Sequence, residues 1–325
     1  MRAAYYEKNG AVRDVLILGD VETPQPGPGE VRVKLRTSGV NPSDVKSREG
    51  RTRKIAFPRV IPHSDGAGDI DMVGDGVPAS RVGERVWTWN GQWKRPFGTC
   101  AEYIVLPADL AVKLPAHIGY EAGACLGIPA MTAWHAVEVS GIGKGSSVLV
   151  TGGAGGVGHY AIQFAKARGA TVLTTISGDA KADLARKAGS DHCINYRTEN
   201  VGERVMAATA KKGVDAVIDM DFSSNAKLAP AILHPRSRFV VYGNSQPEAT
   251  IPSQFMLTNF IGIQYIFVYE LTAQERASAV NGINKMLEGK SLINNVALTL
   301  PLAEIHAAHE AVEQGKALGN VVVTL

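Results

Sequence analysis

The sequence contains few cysteines and no dense block of charge, and both absences exclude functions. Among its 325 residues there are three cysteines, Cys100, Cys125 and Cys193, which lie far apart along the chain. An odd and scattered set does not form a disulfide framework and is typical of a reducing cytoplasm. The formal net charge is +3 and no run of Lys and Arg stands out. We therefore expect neither a nucleic-acid partner nor an anionic membrane surface.

Long apolar runs and a secretion signal are also absent. No charge-free apolar stretch approaches the roughly 18–20 residues that a membrane span needs. The first residues, MRAAYYE, lack the basic-then-apolar layout of a secretory signal. The expectation is a cytoplasmic protein of 325 residues, a length that suits two domains better than one hydrophobic core.

The chain changes character near residue 122. Before it, short apolar runs separated by glycine and proline predict a mostly β domain. After it, apolar strands alternate with helical patterns, which predicts a parallel α/β sheet. A last helix at 302–314 and strand at 320–325 do not extend this alternation and are expected to return to the first domain. The strands predicted for the α/β part are 147–151, 171–176, 192–196, 216–220, 238–242 and 262–267.

The strongest motif is a glycine-rich loop between an apolar strand and a helix. Gly153, Gly155 and Gly158 have GxGxxG spacing, and a helix is predicted over 159–168. Glycines let backbone amides approach a pyrophosphate, and the start of the helix offers unpaired N–H groups to the anion. Because no Gly-Lys-Ser/Thr follows, a P-loop is excluded, and the motif predicts a dinucleotide site.

The end of the second strand of this α/β part favours NADPH over NADH. NAD-selective folds place an acidic residue there, but this chain has Ser177, followed by Lys181. Ser177 can bind a 2′-phosphate and Lys181 can neutralise its charge, although Asp179 lies between the two residues in the sequence. In the structural alternative, Ser177 caps the next helix and Lys181 is a solvated surface charge.

Several separated motifs occur in a fixed order along the chain: SGVNPSD (38–44), SDGAG (64–68), VGERVW (82–87), GTCAEY (98–103), IPAMTAW (128–134), AGGVG (154–158) and GNVVV (319–323). Together they resemble the quinone oxidoreductase (zeta-crystallin-like) branch of the zinc-free medium-chain dehydrogenase/reductase superfamily. The resemblance implies a Rossmann doubly wound parallel sheet inserted into a mostly β, GroES-like substrate domain, with the active site in the cleft. It also implies homodimers or homotetramers. We assign residues 1–124 and 270–325 to the substrate domain and 125–269 to the Rossmann domain.

The same resemblance implies positions for the functional residues. Pyrophosphate contacts fall on Ala154, Gly155, Gly156 and Val157. The adenosine phosphate end is assigned to Ser177, Lys181 and Tyr196, and positions nearer the nicotinamide to Asn225, Gly243 and Asn244. Thr132 and Asn41 are expected to face the cleft. Relatives often carry a tyrosine five positions after Asn41, where this chain has Lys46, so their substrate preference does not transfer directly.

A zinc alcohol dehydrogenase is the main alternative within this fold. Catalytic zinc needs Cys or His ligands and an open coordination position. The first ligand position is occupied by Asn41 and the second by Ser64, and His63 is one residue out of register. A chain with three cysteines also cannot supply a four-cysteine structural site. We therefore predict no metal.

Without a metal, the expected acceptor is already polarised, such as a quinone or an α,β-unsaturated carbonyl compound. NADPH supplies the hydride, and Asn41 and Lys46 are the candidates for the polar contact to the developing oxyanion. Two alternatives stay open, a 2-enoyl thioester reductase and an NADPH-binding structural or RNA-associated protein. The absence of a basic cluster counts against RNA.

Three further features carry expectations. The apolar tract 259–269 is expected to be a buried edge strand that pairs with another subunit, and Tyr265 or Phe267 can also line the cleft. His306 and His309 are expected to be surface or interface residues. The acidic residues Asp69 and Asp71 have no functional explanation from the sequence.

Overall fold

The structure is a computed structural model that describes residues 1–325. It contains fifteen β-strands, numbered in chain order. Their bounds are β1 Arg2–Tyr5, β2 Ile17–Asp20, β3 Glu30–Val40, β4 Asp65–Val73, β5 Arg85–Thr88, β6 Tyr103–Pro107, β7 Ala111–Lys113, β8 Ser147–Val150, β9 Thr171–Ile176, β10 His192–Asn195, β11 Val214–Asp219, β12 Leu233–Val241, β13 Gly262–Tyr265, β14 Val296–Pro301 and β15 Asn320–Thr324.

Twelve α-helices connect these strands. A π-helical turn, Leu126–Ala130, immediately precedes the fourth helix, and no helix combines the length and apolar character needed to cross a membrane. The helices are α1 Val12–Val15, α2 Pro42–Glu49, α3 Tyr120–Gly123, α4 Met131–Ser140, α5 Gly156–Ala167, α6 Asp179–Lys187, α7 Val201–Ala208, α8 Phe222–Asn225, α9 Ala229–Ile232, α10 Ser253–Thr258, α11 Ala273–Glu288 and α12 Ile305–Glu313.

The chain divides into two compact units. The first comprises Met1–Pro129 and Val280–Leu325, and the second comprises Ala130–Ala279. The boundaries predicted from the sequence, 124/125 and 269/270, assign residues 125–129 and 270–279 to the opposite units.

The first unit is built on a seven-stranded mixed sheet. Its order is β14-β15-β3-β4-β5-β7, and β6 pairs with β3 as well, while β1 and β2 form a separate antiparallel pair. Along β3, Val31, Val33 and Leu35 are buried and alternate with more exposed residues, as a half-buried strand requires. The last strand, β15, pairs antiparallel with β3, so the predicted return of the C-terminus to the first domain is confirmed.

The second unit is a six-stranded parallel sheet in the order β10-β9-β8-β11-β12-β13. Numbered within the unit, this is the 3-2-1-4-5-6 order of the doubly wound dinucleotide-binding fold. The central strands are apolar runs because both faces of the sheet are covered, and Val148, Leu149 and Val150 are fully buried. The predicted Rossmann class and the six predicted strands are confirmed.

Candidate functional site

The glycine loop leaves β8 and opens α5. The helix begins at Gly156, three residues before the predicted start at His159, because Gly155 serves as the N-cap. The first amides of a helix have no carbonyl one turn back, so this helix start offers N–H donors to an anion.

Each glycine of the motif meets a different steric constraint. A Cβ added at Gly153 would lie 2.1 Å from Thr174 Oγ1, and one at Gly158 would lie 2.3 Å from the Gly152 carbonyl oxygen. At Gly155 the only atom within 4 Å is the Gly152 oxygen, at 3.3 Å. Gly153 and Gly158 therefore permit tight packing on the sheet, whereas Gly155 keeps the outer side of the loop open. This cradle fits the pyrophosphate of a dinucleotide.

Asp219 ties this loop to the neighbouring strand at the carboxyl edge of the sheet. Its Oδ1 accepts hydrogen bonds from Thr151 Oγ1 at 2.7 Å and from Asn225 Nδ2 at 2.8 Å. Burial raises the pKa of Asp219, and its Oδ2 is buried without a partner. The bonds hold Asn225 beside the end of β11, where the strand order reverses and doubly wound folds bind their ligands.

The next strand ends close by, at Gly243 and Asn244. A Cβ at Gly243 would lie 2.3 Å from the Met220 carbonyl oxygen, so only glycine allows this approach. Asn244 is exposed. The following residue, Ser245, donates its backbone N–H to Asp221 at 2.9 Å. Although partial burial raises the pKa of Asp221, hydrogen bonds from serine hydroxyls hold it at about 2.

The residues predicted for the adenosine phosphate lie at the ends of β9 and β10. Ser177 precedes the N-cap of α6, which is Gly178, so the alternative in which Ser177 caps that helix is wrong. Ser177 and Lys181 are half-buried, and Tyr196 is 53% exposed. Lys181 has no carboxylate within 4.0 Å, Asp179 included, so its charge is not neutralised by the protein.

Thr132 lies in the first turn of α4, directly after the π-helical turn, and is 5% exposed. It belongs to the second unit, whereas the two candidate catalytic residues, Asn41 and Lys46, belong to the first.

Asn41 is the N-cap of α2 and its orientation is fixed from two sides. The Asp44 carboxylate accepts the Asn41 backbone N–H at 2.8 Å, as part of a capping box. The Asn41 side chain donates from Nδ2 to Asp65 Oδ2 at 2.7 Å, and Asp65 Oδ1 accepts the Ile128 N–H at 2.8 Å. Lys46 is half-buried in the last turn of the same helix.

The two carboxylates around Asn41 are buried. Burial raises the pKa of Asp44 to about 7, against the lowering effect of the Asn41 hydrogen bonds and of the Arg53 charge. Burial also raises the pKa of Asp65 well above its ordinary value. Both groups therefore hold a proton at higher pH than an exposed aspartate does.

His63 and His309 form a buried pair, which corrects the expectation that His309 is a surface or interface residue. Both are fully buried, and their Nε2 atoms are 2.9 Å apart. His63 Nδ1 is 2.8 Å from Ser38 Oγ, which is 2.8 Å from Thr99 Oγ1, and Thr99 donates to the Asp65 carbonyl. The final helix turns His309 inward because its inner face packs on the first unit, where Ile305 and Ala308 are also buried.

The donor set at this position does not fit a zinc ion. Both ring nitrogens of His63 already have partners, Asn41 donates to Asp65, and Ser64 replaces the histidine of a zinc site. No group of three or more His, Cys, Asp or Glu side chains is arranged to hold a metal.

The acidic segment of β4 has a structural explanation. Asp71 accepts hydrogen bonds from Arg32 on the neighbouring strand β3, and Asp69 pairs with Arg36 at 3.0 Å and with the Tyr120 hydroxyl. These carboxylates are cross-strand partners of basic side chains.

Sequence analysis did not predict the roles of Asp65 and Asp219. Each has a signal in the sequence, since a carboxylate flanked by small or apolar residues within or at the end of a strand must be paired when it is buried. The partners could not be read from the sequence, because Asn41 and Thr151 are 24 and 68 residues away.

Comparison with known proteins agrees with this architecture. The alcohol dehydrogenase GroES-like domain model matches residues 27–116, and the zinc-binding dehydrogenase model matches residues 156–284. Human quinone oxidoreductase is 30% identical over 330 residues, covering 100% of this chain and 98% of the human protein. A 2-haloacrylate reductase from Burkholderia sp is 29% identical over 336 residues, covering 99% of this chain and 98% of that protein.

Solved structures give the same answer. A mycobacterial protein in complex with NADPH is 28% identical to this chain and superposes with a TM-score of 0.89, with 100% of both chains covered. The full-length match to the human enzyme, together with the two-unit fold, shows that the chain belongs to the quinone oxidoreductase branch of the medium-chain dehydrogenase/reductase superfamily.

Proposed function

We propose that this protein reduces quinones or other α,β-unsaturated carbonyl compounds with NADPH and needs no metal ion. The observation that carries the proposal is the hydrogen bond from Asn41 to Asp65. Asn41 stands at the position where zinc relatives have their first metal ligand, and its side-chain amide is already bonded to Asp65. The full-length match to human quinone oxidoreductase supports the acceptor class.

NADPH binding is assigned to the carboxyl edge of the parallel sheet. The NADPH complex of the mycobacterial neighbour supports this cofactor. The unneutralised charge of Lys181 beside Ser177 supports a preference for NADPH over NADH. The residues proposed to bind it are Thr132, Ala154, Gly155, Gly156, Val157, Ser177, Lys181, Tyr196, Asn225, Gly243 and Asn244.

Asn41 is proposed to stabilise the acceptor. NADPH, when bound, supplies a hydride, and a carbonyl acceptor then develops negative charge on its oxygen. The side-chain amide of Asn41 donates to that oxygen, and Asp65 keeps the amide from rotating. Lys46 is the second candidate for this contact, and water completes the protonation.

Activated alkenes are included among the acceptors. The related Burkholderia protein is named for a 2-haloacrylate, whose double bond is conjugated to a carboxyl group. Hydride addition to such a bond also places negative charge on oxygen, so the same amide contact serves both acceptor classes.

The protein is also proposed to be a homodimer or homotetramer. Strand β13 ends the parallel sheet and pairs only with β12, so its other edge is unpaired. Tyr265 on this strand and Phe267 just after it are more than half exposed. An apolar unpaired edge favours contact with a second copy. The cytoplasmic location stays a prediction.

The test is NADPH oxidation at 340 nm, measured before and after chelator treatment. The acceptor panel contains 1,4-naphthoquinone, an enone and a simple aldehyde, each measured with NADPH and with NADH. We expect turnover of the quinone or the enone, with no loss after chelation and with higher kcat/KM for NADPH.

Activity restricted to the aldehyde and abolished by the chelator would overturn the proposal. Equal use of NADH and NADPH would leave the reaction class intact but would contradict the role given to Ser177 and Lys181.

A further inference from the structure

The segment after Asn41 carries an excess of positive charge. Lys46, Arg48, Arg51, Arg53 and Lys54 lie within nine residues, and Glu49 is the one acid among them. Within this group, Arg48 bonds Glu313 and Arg51 lies 3.5 Å from Glu49.

Arg53 is the unusual member of this group. It has no carboxylate within 4.0 Å, although it is half-buried. Its guanidinium lies over the Trp93 ring, 5.1 Å from the centroid, and its Nη2 donates to Gln92 Oε1. The Nε and Nη1 donors have no partner within the protein. Stacking and one hydrogen bond thus fix the plane of a cation whose other donors stay available.

Arg53 is connected indirectly to the two residues that hold Asn41. Gly91, next to Gln92, donates its backbone N–H to the Ser64 carbonyl at 2.9 Å, and Asp65, which follows Ser64, holds the Asn41 amide. On the other side, the charge of Arg53 acts on Asp44, whose carboxylate accepts the Asn41 N–H. Arg53 therefore acts on Asp44 through its charge, and its partner Gln92 follows a residue that bonds the segment containing Asp65.

We propose that Arg53 binds a carboxylate carried by the acceptor, so that the preferred substrates are activated alkenes bearing an acid group. This inference rests on the proposed function and names its substrate class. A guanidinium is planar and presents parallel N–H donors that match the two oxygens of a carboxylate.

The chemistry balances without a further reactant. Hydride from NADPH forms a C–H bond at one alkene carbon, and the π pair moves toward the activating carbonyl. A proton from water then forms the second C–H bond. NADPH becomes NADP⁺, the alkene becomes the saturated acid, and the carboxylate is unchanged. Arg53 acts by binding and orienting the acceptor.

The experiment uses two acceptors that share one enone, 3-benzoylacrylate, which carries a carboxylate, and its uncharged methyl ester. Each is measured with the wild-type protein and with the R53Q, R53K and K54Q variants. K54Q is the matched control, because it removes an exposed positive charge from the neighbouring residue.

For R53Q we expect kcat/KM for the acid to fall about tenfold or more, mostly through KM, because a charge-assisted hydrogen bond is lost. The ester should change by less than about twofold, since uncharged groups gain little from a guanidinium. R53K should lie between R53Q and wild type, and K54Q should match wild type. Added salt should weaken wild-type activity on the acid more than that of R53Q.

Two failures are distinguishable. Equal losses on acid and ester in R53Q, or no loss on either, would overturn the role of Arg53. If the wild-type protein reduces neither the ester nor 1,4-naphthoquinone, the proposed function itself fails.

Discussion

At the scale of single residues, the candidate site depends on two buried carboxylates that hold one amide. Asp65 fixes the side chain of Asn41, and Asp44 fixes its backbone. A buried carboxylate is costly unless it is protonated or bonded to donors. Each of these two has hydrogen-bond donors, yet burial still raises its pKa. The site therefore keeps Asn41 oriented at the expense of stability at alkaline pH.

This cost predicts a pH dependence that the D44N variant reduces. The pKa of Asp44 is raised to about 7 by burial, whereas its ordinary value is 3.8. Between these values the folded state holds a proton that the unfolded state has released. The contribution of Asp44 to stability is thus fully present below about pH 4 and is lost as the pH rises toward about 7.

The measurement is chemical unfolding of wild type and D44N between pH 5 and pH 8. From pH 5 to pH 8 we expect wild type to lose on the order of 2 kcal/mol relative to D44N. The D75N variant is the control, because Asp75 is exposed and has no ion pair. A D44N variant that is destabilised equally at both pH values would contradict this expectation.

At the scale of elements, the glycine loop uses some of its glycines for packing on the sheet and another for contact with the ligand. The two functions fall on different glycines, since a Cβ at Gly158 would lie 2.3 Å from the Gly152 carbonyl oxygen, whereas a Cβ at Gly155 would lie 3.3 Å from it, a contact that a shift of a few tenths of an ångström relieves. Gly155 also has φ −77° and ψ 166°, which alanine adopts without strain.

This difference predicts opposite outcomes for two matched variants. G158A should lose about 1–3 kcal/mol of stability, because backbone atoms must move to admit a methyl group. G155A should keep its Tm close to that of wild type but weaken NADPH binding roughly tenfold, because the methyl group stands where the pyrophosphate approaches. Thermal unfolding and titration of NADPH fluorescence measure the two effects. A G155A variant with unchanged NADPH affinity would show that the pyrophosphate does not approach Gly155.

Elements of the second unit could be predicted from the sequence because their signals are local. Each parallel strand is a continuous apolar run, and the glycine spacing marks the first strand–helix turn. The partners around Asn41 could not be predicted, because the pairing of β3 with β4 brings them together. In that pairing Gly39 lies opposite Asp65, so Asn41 leaves the strand beside a residue 24 positions later. His309 reaches His63 across 246 residues because the pairing of β15 with β3 returns the C-terminus to the first unit.

At the scale of the whole molecule, the C-terminus completes the first unit. Strand β15 inserts between β14 and β3, and the final helix supplies His309 to the buried chain of polar contacts. The first unit therefore needs residues more than 200 positions apart, whereas the second folds from one continuous segment, Ala130–Ala279. Among the large apolar side chains, the two with the highest exposed fractions lie in that segment, Leu257 at 73% and Phe260 at 67%.

The exposed apolar surface beside β13 predicts self-association through this edge. Tyr265 on β13 and Leu257 on α10, the helix that precedes β13 in the chain, are both more than half exposed. Sedimentation velocity should show a dimer or tetramer for wild type and a smaller species for the L257K/Y265K variant, because buried ammonium groups disfavour an apolar interface. The V82K variant, which adds the same charge at a half-exposed valine of the first unit, should behave as wild type. A wild-type monomer at micromolar concentration would contradict self-association. Association that survives L257K/Y265K but not V82K would place the interface elsewhere.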